Sequence, residues 1–351
     1  MVDRGGIKSV RRHSTGHPTH FNIFLEFRLF DLTYGSFGFR VGAKTQGGYE
    51  VQAEECKIYK SNTLTPEIHY SVVDGKVIKS SAKVAPVAAG DRLYLVNASG
   101  LPEFRPLYEA LSHMGFYNLN PESIRELQQP DAGELLDRHG SNLASVLGQL
   151  KSQNPLIKKR IEEYLSKVVP GIQKVDNKSI GPKETLEFFQ YIGNNESPWK
   201  FLAQNMSDGT LRALGILVAL FQAGENSSQR ASLVGIEEPE AALHPAAAGI
   251  LRDSLLDASK KTQVIVTSHS PDLLDDDGIS DESIVPIVNE FGESRIAPLD
   301  EAGRSAIRDR LYTPGELLRL NQLIPENGGS GLDKKSSKSN PERTILFGDG
   351  D

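Results

Sequence analysis

Leu233-Val234-Gly235-Ile236-Glu237-Glu238-Pro239-Glu240, then Leu243-His244-Pro245, then Val264-Ile265-Val266-Thr267-Ser268-His269, is the stretch on which the fold turns. An apolar run ends in two adjacent acids, and a second β-branched run ends in a Ser-His pair. A connector of helix length joins them, which is the pattern of a parallel β-α-β unit. Such a unit places both polar ends on the carboxyl edge of one sheet, where open α/β folds bind ligands. Just before it, Asn205-Met206-Ser207-Asp208-Gly209-Thr210-Leu211-Arg212 leads into Leu214, Leu217, Val218 and Phe221, an amphipathic helical stripe. Its Ser-Asp-Gly turn therefore stands at a helix N-terminus, where backbone N–H groups and the helix dipole suit an anion.

The 351 residues suffice for one large domain or two smaller ones. Hydrophobic content of 38% and charged content of 24% are those of an ordinary water-soluble chain. A net charge of −7 supplies no global basic field for nucleic acid, so any such contact needs a local patch. Cys56 is the single cysteine, which excludes an internal disulfide and points to a reducing compartment. No apolar run approaches the roughly 18 residues that span a bilayer, and the N-terminus lacks a signal-peptide core. A cytoplasmic location without membrane contact is the expectation.

Taken in order, Met1–His20 is basic and histidine-rich and reads as a solvated entry loop in preference to a phosphate-binding arm, because nothing aromatic is interleaved to stack bases. Phe21, Ile23, Leu25, Phe27 and Leu29 alternate with more polar neighbours as in a half-buried strand. Further strands are expected near Phe37–Lys44, Glu50–Tyr59, Glu67–Val73 and Lys76–Lys79, with Asp74-Gly75 as a hairpin turn. From about Leu101 the texture turns helical. Asn120-Pro121-Glu122 opens one helix, and Leu135–Leu150 and Pro155–Val169 carry apolar residues at helical spacing before Gly171. Lys183–Ile192 fits a strand or a short helix. Thr313-Pro314-Gly315-Glu316 has capping-box spacing, so a helix through Leu320 is expected, and Gly328–Asn340 has a linker composition. This gives residues 1–100 as an N-terminal lobe with an antiparallel β region, 101–200 as an inserted helical subdomain, 201–325 as the core bearing the motifs, and 326–351 as a flexible tail.

An acid at the end of a buried strand is costly unless something pairs with it. A divalent cation would pair with Glu237, and an adjacent acid, Glu238, would orient or deprotonate a water. In isolation, two acids beside Pro239 are as well explained by the preference of acids for helix N-termini, and His269 by an ordinary strand end. The joint spacing favours chemistry: acids and histidine close adjacent parallel strands, and a Ser-Asp-Gly helix start precedes them.

Together these motifs resemble the ABC-type ATPase group that includes RecF, SMC and OLD-like proteins, and within it the bacterial AAA-family ATPases with an Ile-Glu-Glu-Pro-Glu Walker B. The resemblance covers about Met206–Leu274 and implies an α/β, P-loop NTPase-like fold, an ABC-type head. It implies that Ser207, Asp208 and Gly209 form the signature turn on the γ-phosphate of the opposite protomer's ATP. It further implies Glu237 as the Mg2+-side acid, Glu238 as the catalytic base, Leu243-His244-Pro245 as the D-loop and His269 as the γ-phosphate switch. Glu237 stands where Asp is more usual, and Asp208 where transporter signatures have glycine. The implied function is an ATPase that forms a homodimer around ATP and acts on DNA or an effector protein, in DNA repair or phage defence. The alternative is a scaffold or sensor of the same fold without hydrolysis. A Toprim nuclease of the OLD-like kind is not expected, because Asp275–Leu323 is too short for one, and Asp275-Asp276-Asp277 reads as a solvated acidic turn.

The resemblance also requires Gly-x-x-x-x-Gly-Lys-Ser/Thr after a first strand. The nearest sequence, Gly38-Phe39-Arg40-Val41-Gly42-Ala43-Lys44-Thr45, has Ala43 at the second glycine and alternates as a β-hairpin arm does. First strand and P-loop are therefore expected to be missing. A truncated fragment or misplaced start is the favoured explanation. A short non-hydrolysing relative and a partner chain that supplies the loop are the alternatives. Uncovered sheet surface and self-association are the expected consequence.

Overall fold

The alternation in Phe21–Leu29 becomes strand β1 (His20–Arg28), the first of five strands. The computed structural model describes residues 20–29, 33–44, 48–59, 65–193, 197–222, 233–290 and 293–326. The basic N-terminal arm and the Gly/Ser/Lys-rich tail of the sequence reading lie outside the described residues. Two compact units divide the described residues, one up to residue 112 and one from residue 113 to 326.

In the first unit β1 is followed by β2 (Tyr34–Ala43), β3 (Tyr49–Tyr59), β4 (Ile68–Val73) and β5 (Lys76–Ser80), an antiparallel sheet in sequence order. Asp74 and Gly75, at φ 47° and 70°, make the tight turn that their sequence demands between β4 and β5. Gly38–Ala43 lies in β2 and pairs with β1 and β3, so the phosphate-loop-like spacing there belongs to a strand. Helices α1 (Tyr94–Ala98) and α2 (Arg105–Ser112) complete the unit. Phe37, Cys56, Ile58, Tyr70, Tyr94 and Phe104 form its core. Within this apolar setting Glu54 is fully buried. Its carboxylate accepts from the Tyr70 hydroxyl at 2.7 Å and from the Tyr94 and Leu95 amides at 2.5 and 2.8 Å, thereby capping α1.

The second unit begins with β6 (Met114–Tyr117) and α3 (Pro121–Arg125), which Asn120 caps by accepting from the Glu122 amide at 3.0 Å. Next come α4 (Leu143–Gln153), α5 (Pro155–Val168), and the antiparallel strands β7 (Ile172–Ile180), β8 (Lys183–Gln190) and β9 (Trp199–Leu202). The stretch read as helical from Leu101 thus also holds four strands. Lys183–Gln190 settles as a strand because Leu186 and Phe188 fill the core from one face, while Glu184 and Glu187 find Ser145 and Lys178 as partners. Helix α6 (Asp208–Phe221) is buried from Thr210 onward at every residue but Arg212. It is a core helix, not the amphipathic one its stripe suggests.

Strand β10 (Leu233–Glu237), helix α7 (Ala248–Ser259) and strand β11 (Gln263–Thr267) form the expected parallel unit, and β6 flanks β10 to give the order β11-β10-β6. Then follow α8 (Pro271–Leu274), the hairpin β12 (Ile287–Glu290) and β13 (Glu293–Ile296), α9 (Glu301–Arg308) and α10 (Pro314–Arg319). Both bonds of the Thr313–Glu316 capping box are present, at 3.1 and 2.9 Å. Asp275 is exposed, as expected, and is also partnered: it accepts from Thr313 Oγ1 at 2.7 Å and Arg319 Nη1 at 3.0 Å, which docks α8 on α10. No helix among the described residues is long and apolar enough to cross a membrane.

Parallel sheets are normally covered on both faces. Here Phe116, Gly235 and Ile265 share one register row, and Phe116 and Ile265 are 57% and 47% exposed. Replacing both with serine is expected to lower self-association, read as a smaller apparent mass by light scattering; an unchanged mass would contradict this. For Glu54, burial raises the carboxyl above its ordinary value against the hydrogen bonds it accepts. Its folded value therefore exceeds its unfolded one. The stability it contributes is complete below the unfolded value and is lost as pH rises through the folded value. Glu54→Gln is expected to flatten that dependence in thermal melts from acid to neutral pH. Glu54→Ala should cost about 2–4 kcal/mol by stranding three donors.

Candidate active site

Strand β10 is buried from Leu233 to Ile236 and delivers its last residue, Glu237, to the exposed carboxyl edge of the sheet. The Glu237 carboxylate accepts from Asn118 Nδ2 at 3.1 Å, and Arg138 Nη2 stands 3.7 Å from its other oxygen. Both partners come from the segment after β6. The Asn118 amide donates to the Arg138 carbonyl at 3.0 Å, so the two positions are one local pairing.

The next residue, Glu238, leaves the strand with φ 45°, a left-handed backbone outside glycine. Its amide still donates to the Thr267 carbonyl of β11 at 2.9 Å. Its carboxylate lies 3.9 Å from His269 Nε2 and close enough to the Glu240 carboxyl to feel its charge. Burial first, and then the Glu240 charge, raise the Glu238 carboxyl above the usual glutamate range; His269 opposes them. Glu240 in turn accepts from Ser268 Oγ at 2.5 Å, and its second oxygen is buried with no partner among the described residues. The two strand ends are thus joined through Glu240 and Ser268. His269 itself is a loop residue with its side chain 93% exposed, free to turn toward a ligand.

Ser207 caps α6: its hydroxyl accepts from the Thr210 amide at 3.3 Å and lies 2.9 Å from the Thr210 hydroxyl. Asp208 is neutralised by Arg125 of α3, which also donates to the Met206 carbonyl at 3.2 Å. Gly209 has no room for a side chain, since a Cβ there would sit 2.5 Å from the Ala242 carbonyl. From the same helix, Arg212 reaches back to the end of β10 and donates to the Glu237 and Glu238 carbonyls at 3.1 and 3.0 Å, and to the Leu119 carbonyl at 3.1 Å. In the Leu243-His244-Pro245 segment, His244 Nδ1 accepts from the Ala246 amide at 3.2 Å and caps a short turn.

All the residues singled out in the sequence, Ser207, Asp208, Gly209, Glu237, Glu238 and His269, thus belong to one connected region of the second unit. Sequence reasoning missed Asn118, Arg125, Arg138, Glu240 and Ser268 as its supports and gave Arg212 no role. Partners as distant as Asn118 and Glu237, 119 positions apart, have no sequence spacing that reveals them. Among the described residues no three His, Cys, Asp or Glu side chains are grouped to hold a metal by themselves. A cation at Glu237 would therefore be completed by ligand and water oxygens, as Mg2+ commonly is.

A parallel sheet with acids at its carboxyl edge is the arrangement at which α/β proteins bind ligands. Residues 72–275, more than half of the chain, match the family described as "AAA domain, putative AbiEii toxin, Type IV TA system", and the chain belongs to that family. An ATPase-like function and nucleotide binding follow as the class of activity, in agreement with the AAA-family resemblance of the sequence. No curated protein matches the chain. Among solved structures, it is similar to an SMC head bound to the C-winged helix domain of ScpA, at 12% identity and TM-score 0.40 over 77% of this chain and 76% of that one. It is also similar to the SMC head domain from Thermotoga maritima, at 9% identity and TM-score 0.30 over 76% and 74%. A third is the Smc head with an extended coiled coil bound to the C-terminal domain of ScpA from Pyrococcus furiosus, at 12% identity and TM-score 0.34 over 79% and 80%.

Gly209→Ala is expected to destabilise the fold by about 2 kcal/mol through the clash with the Ala242 carbonyl, seen as a lower Tm. A Tm equal to that of the parent would show that the turn is loosely held.

Proposed function

We propose that the chain is the signature, Walker B and switch part of an ABC-type ATPase that closes as a homodimer around ATP and Mg2+ and acts on DNA or an effector protein. The observation that carries the proposal is the meeting of Glu237, Glu238 and His269 at one sheet edge, joined by hydrogen bonds to the helix that starts at Ser207-Asp208-Gly209. The donor set suits a Mg2+-nucleotide in part. Glu237 offers an exposed carboxylate oxygen, and the start of α6 offers backbone N–H groups whose neighbouring acid is already neutralised by Arg125. Bound Mg2+-ATP would supply the electrophilic phosphorus and the leaving diphosphate.

In this reading Glu238 takes the proton of an attacking water, while His269, exposed beside it, meets the γ-phosphate. A raised Glu238 value brings its basicity closer to neutral pH, at the cost of a fraction held protonated in acid. The loop that grips phosphates in this chemistry has no counterpart in the 351 residues, so the proposal concerns the hydrolytic half of the site. Dimerisation, DNA action and a repair or phage-defence setting are carried over from the motif resemblance.

Glu238→Gln, made in a protein in which this chain carries a phosphate-binding loop, is expected to reduce ATP turnover by about a hundredfold or more. ATP-dependent dimerisation should be retained. Phosphate release and light scattering measure the two, and turnover that survives the substitution removes Glu238 as the base.

A further inference from the structure

We infer that Arg212 is a positioning residue: it holds Glu238 in its left-handed backbone conformation and thereby ties the Ser207–Gly209 turn to the candidate base. The inference rests on the reading of Glu238 as the base. In an extended strand, successive carbonyls point to opposite sides. The Glu237 and Glu238 carbonyls nevertheless both accept from one nitrogen, Nη2 of Arg212, at 3.1 and 3.0 Å. They converge because the chain turns at Glu238, where φ is 45°. One donor that holds both carbonyls therefore holds the torsions between them. The second terminal nitrogen donates to the Leu119 carbonyl at 3.1 Å, which fixes the guanidinium against the segment after β6. The two terminal nitrogens of a planar guanidinium reach the three carbonyls in a fixed geometry, which the single nitrogen of a lysine ammonium does not reproduce.

The far end of the same loop is held on the same helix. Ala242 also has a left-handed backbone, at φ 66°, and its carbonyl lies where a Cβ on Gly209 would be, 2.5 Å away. Residues 238–242 therefore begin and end in conformations that L residues rarely adopt, and both ends bear on the first turns of α6. The Glu238 amide, donating to the Thr267 carbonyl at 2.9 Å, the Ala241 amide, donating to the Glu238 carbonyl at 3.0 Å, and the Glu240 carboxylate, accepting from Ser268 Oγ at 2.5 Å, are further anchors of the turn. Since α6 is buried at nearly every residue from Thr210 onward, the Ser207–Gly209 turn and the Glu238 backbone are held on one core element.

Hydrogen exchange on the full chain tests the clamp directly. Arg212→Met is expected to speed exchange of the Glu238 amide about tenfold or more relative to the Val234 and Ile236 amides of the same strand, with Arg212→Lys recovering part of the protection. A uniform change along β10, or none, overturns the inference. Should Arg212→Met fold poorly, Glu238→Gly provides a second arm, because glycine adopts the left-handed conformation freely. The fall in Tm caused by Arg212→Met should be smaller in the Glu238→Gly background, and equal falls overturn the inference. In the loop-bearing protein, Arg212→Met should lower kcat about a hundredfold with KM for ATP unchanged. If Glu238→Gln stops turnover while Arg212→Met leaves kcat intact, the clamp falls and the base stands. If Glu238→Gln leaves turnover intact, the base falls and the exchange ratio alone decides the clamp.

Discussion

Strand β10 is buried from Leu233 to Ile236, yet within two residues it must place two carboxylates in a polar setting. That demand sets the local architecture of the second unit. A strand continuing past Glu237 would send alternate side chains to opposite faces of the sheet. The left-handed step at Glu238 ends the strand abruptly and redirects the chain, and its amide keeps its bond to β11 across the step. Such a step survives in a folded protein only where the surroundings over-determine it. Here they consist of the Thr267 carbonyl on one side and the Arg212 guanidinium on the other.

The charges around this edge follow a simple order. Glu237 is met by Asn118 and Arg138, Asp208 by Arg125, and Glu240 by the Ser268 hydroxyl. Glu238 receives a second carboxyl and a neighbouring histidine, not a fixed cation, and its value is the one pushed upward. The acids matched by donors serve as supports; the acid left to share its surroundings with another acid is suited to proton transfer. The exposed His269 follows the end of β11, one of the two strands that flank β10.

The first unit shows the same physics used for stability alone. Glu54 is deeper than any acid of the candidate site, and its carboxylate closes the start of α1 while it receives the Tyr70 hydroxyl. The three donors bonded to it are the hydroxyl of a core tyrosine and two amides at the start of α1. A displaced carboxyl value is therefore a mark of burial in one place and a mark of chemistry in another; what differs is whether the group faces an exposed edge.

The β-α-β unit, the antiparallel strands, the Asp74-Gly75 turn, and the caps at Asn120, Ser207 and Thr313 were legible in the sequence, because each depends on period or on a side chain reaching its own backbone. The acids and His269 were legible as strand-end residues for the same reason. Strand β6 was not, since four residues carry no period, and Lys183–Gln190 stayed ambiguous until the core took one of its faces. Helix α6 was read as amphipathic because its stripe is apolar; only the layers packed around it show that its other faces are covered as well. Asp275 is exposed as its sequence suggests, but its partners Thr313 and Arg319 lie far along the chain and were not legible there. The sequence alone determined which chemical groups reach the edge of the sheet. Only the tertiary structure decided how they are held, through the left-handed turn at Glu238, the reach of Arg212 and the neutralisation of Asp208 by Arg125. Those depend on contacts between distant segments, which local pattern does not encode.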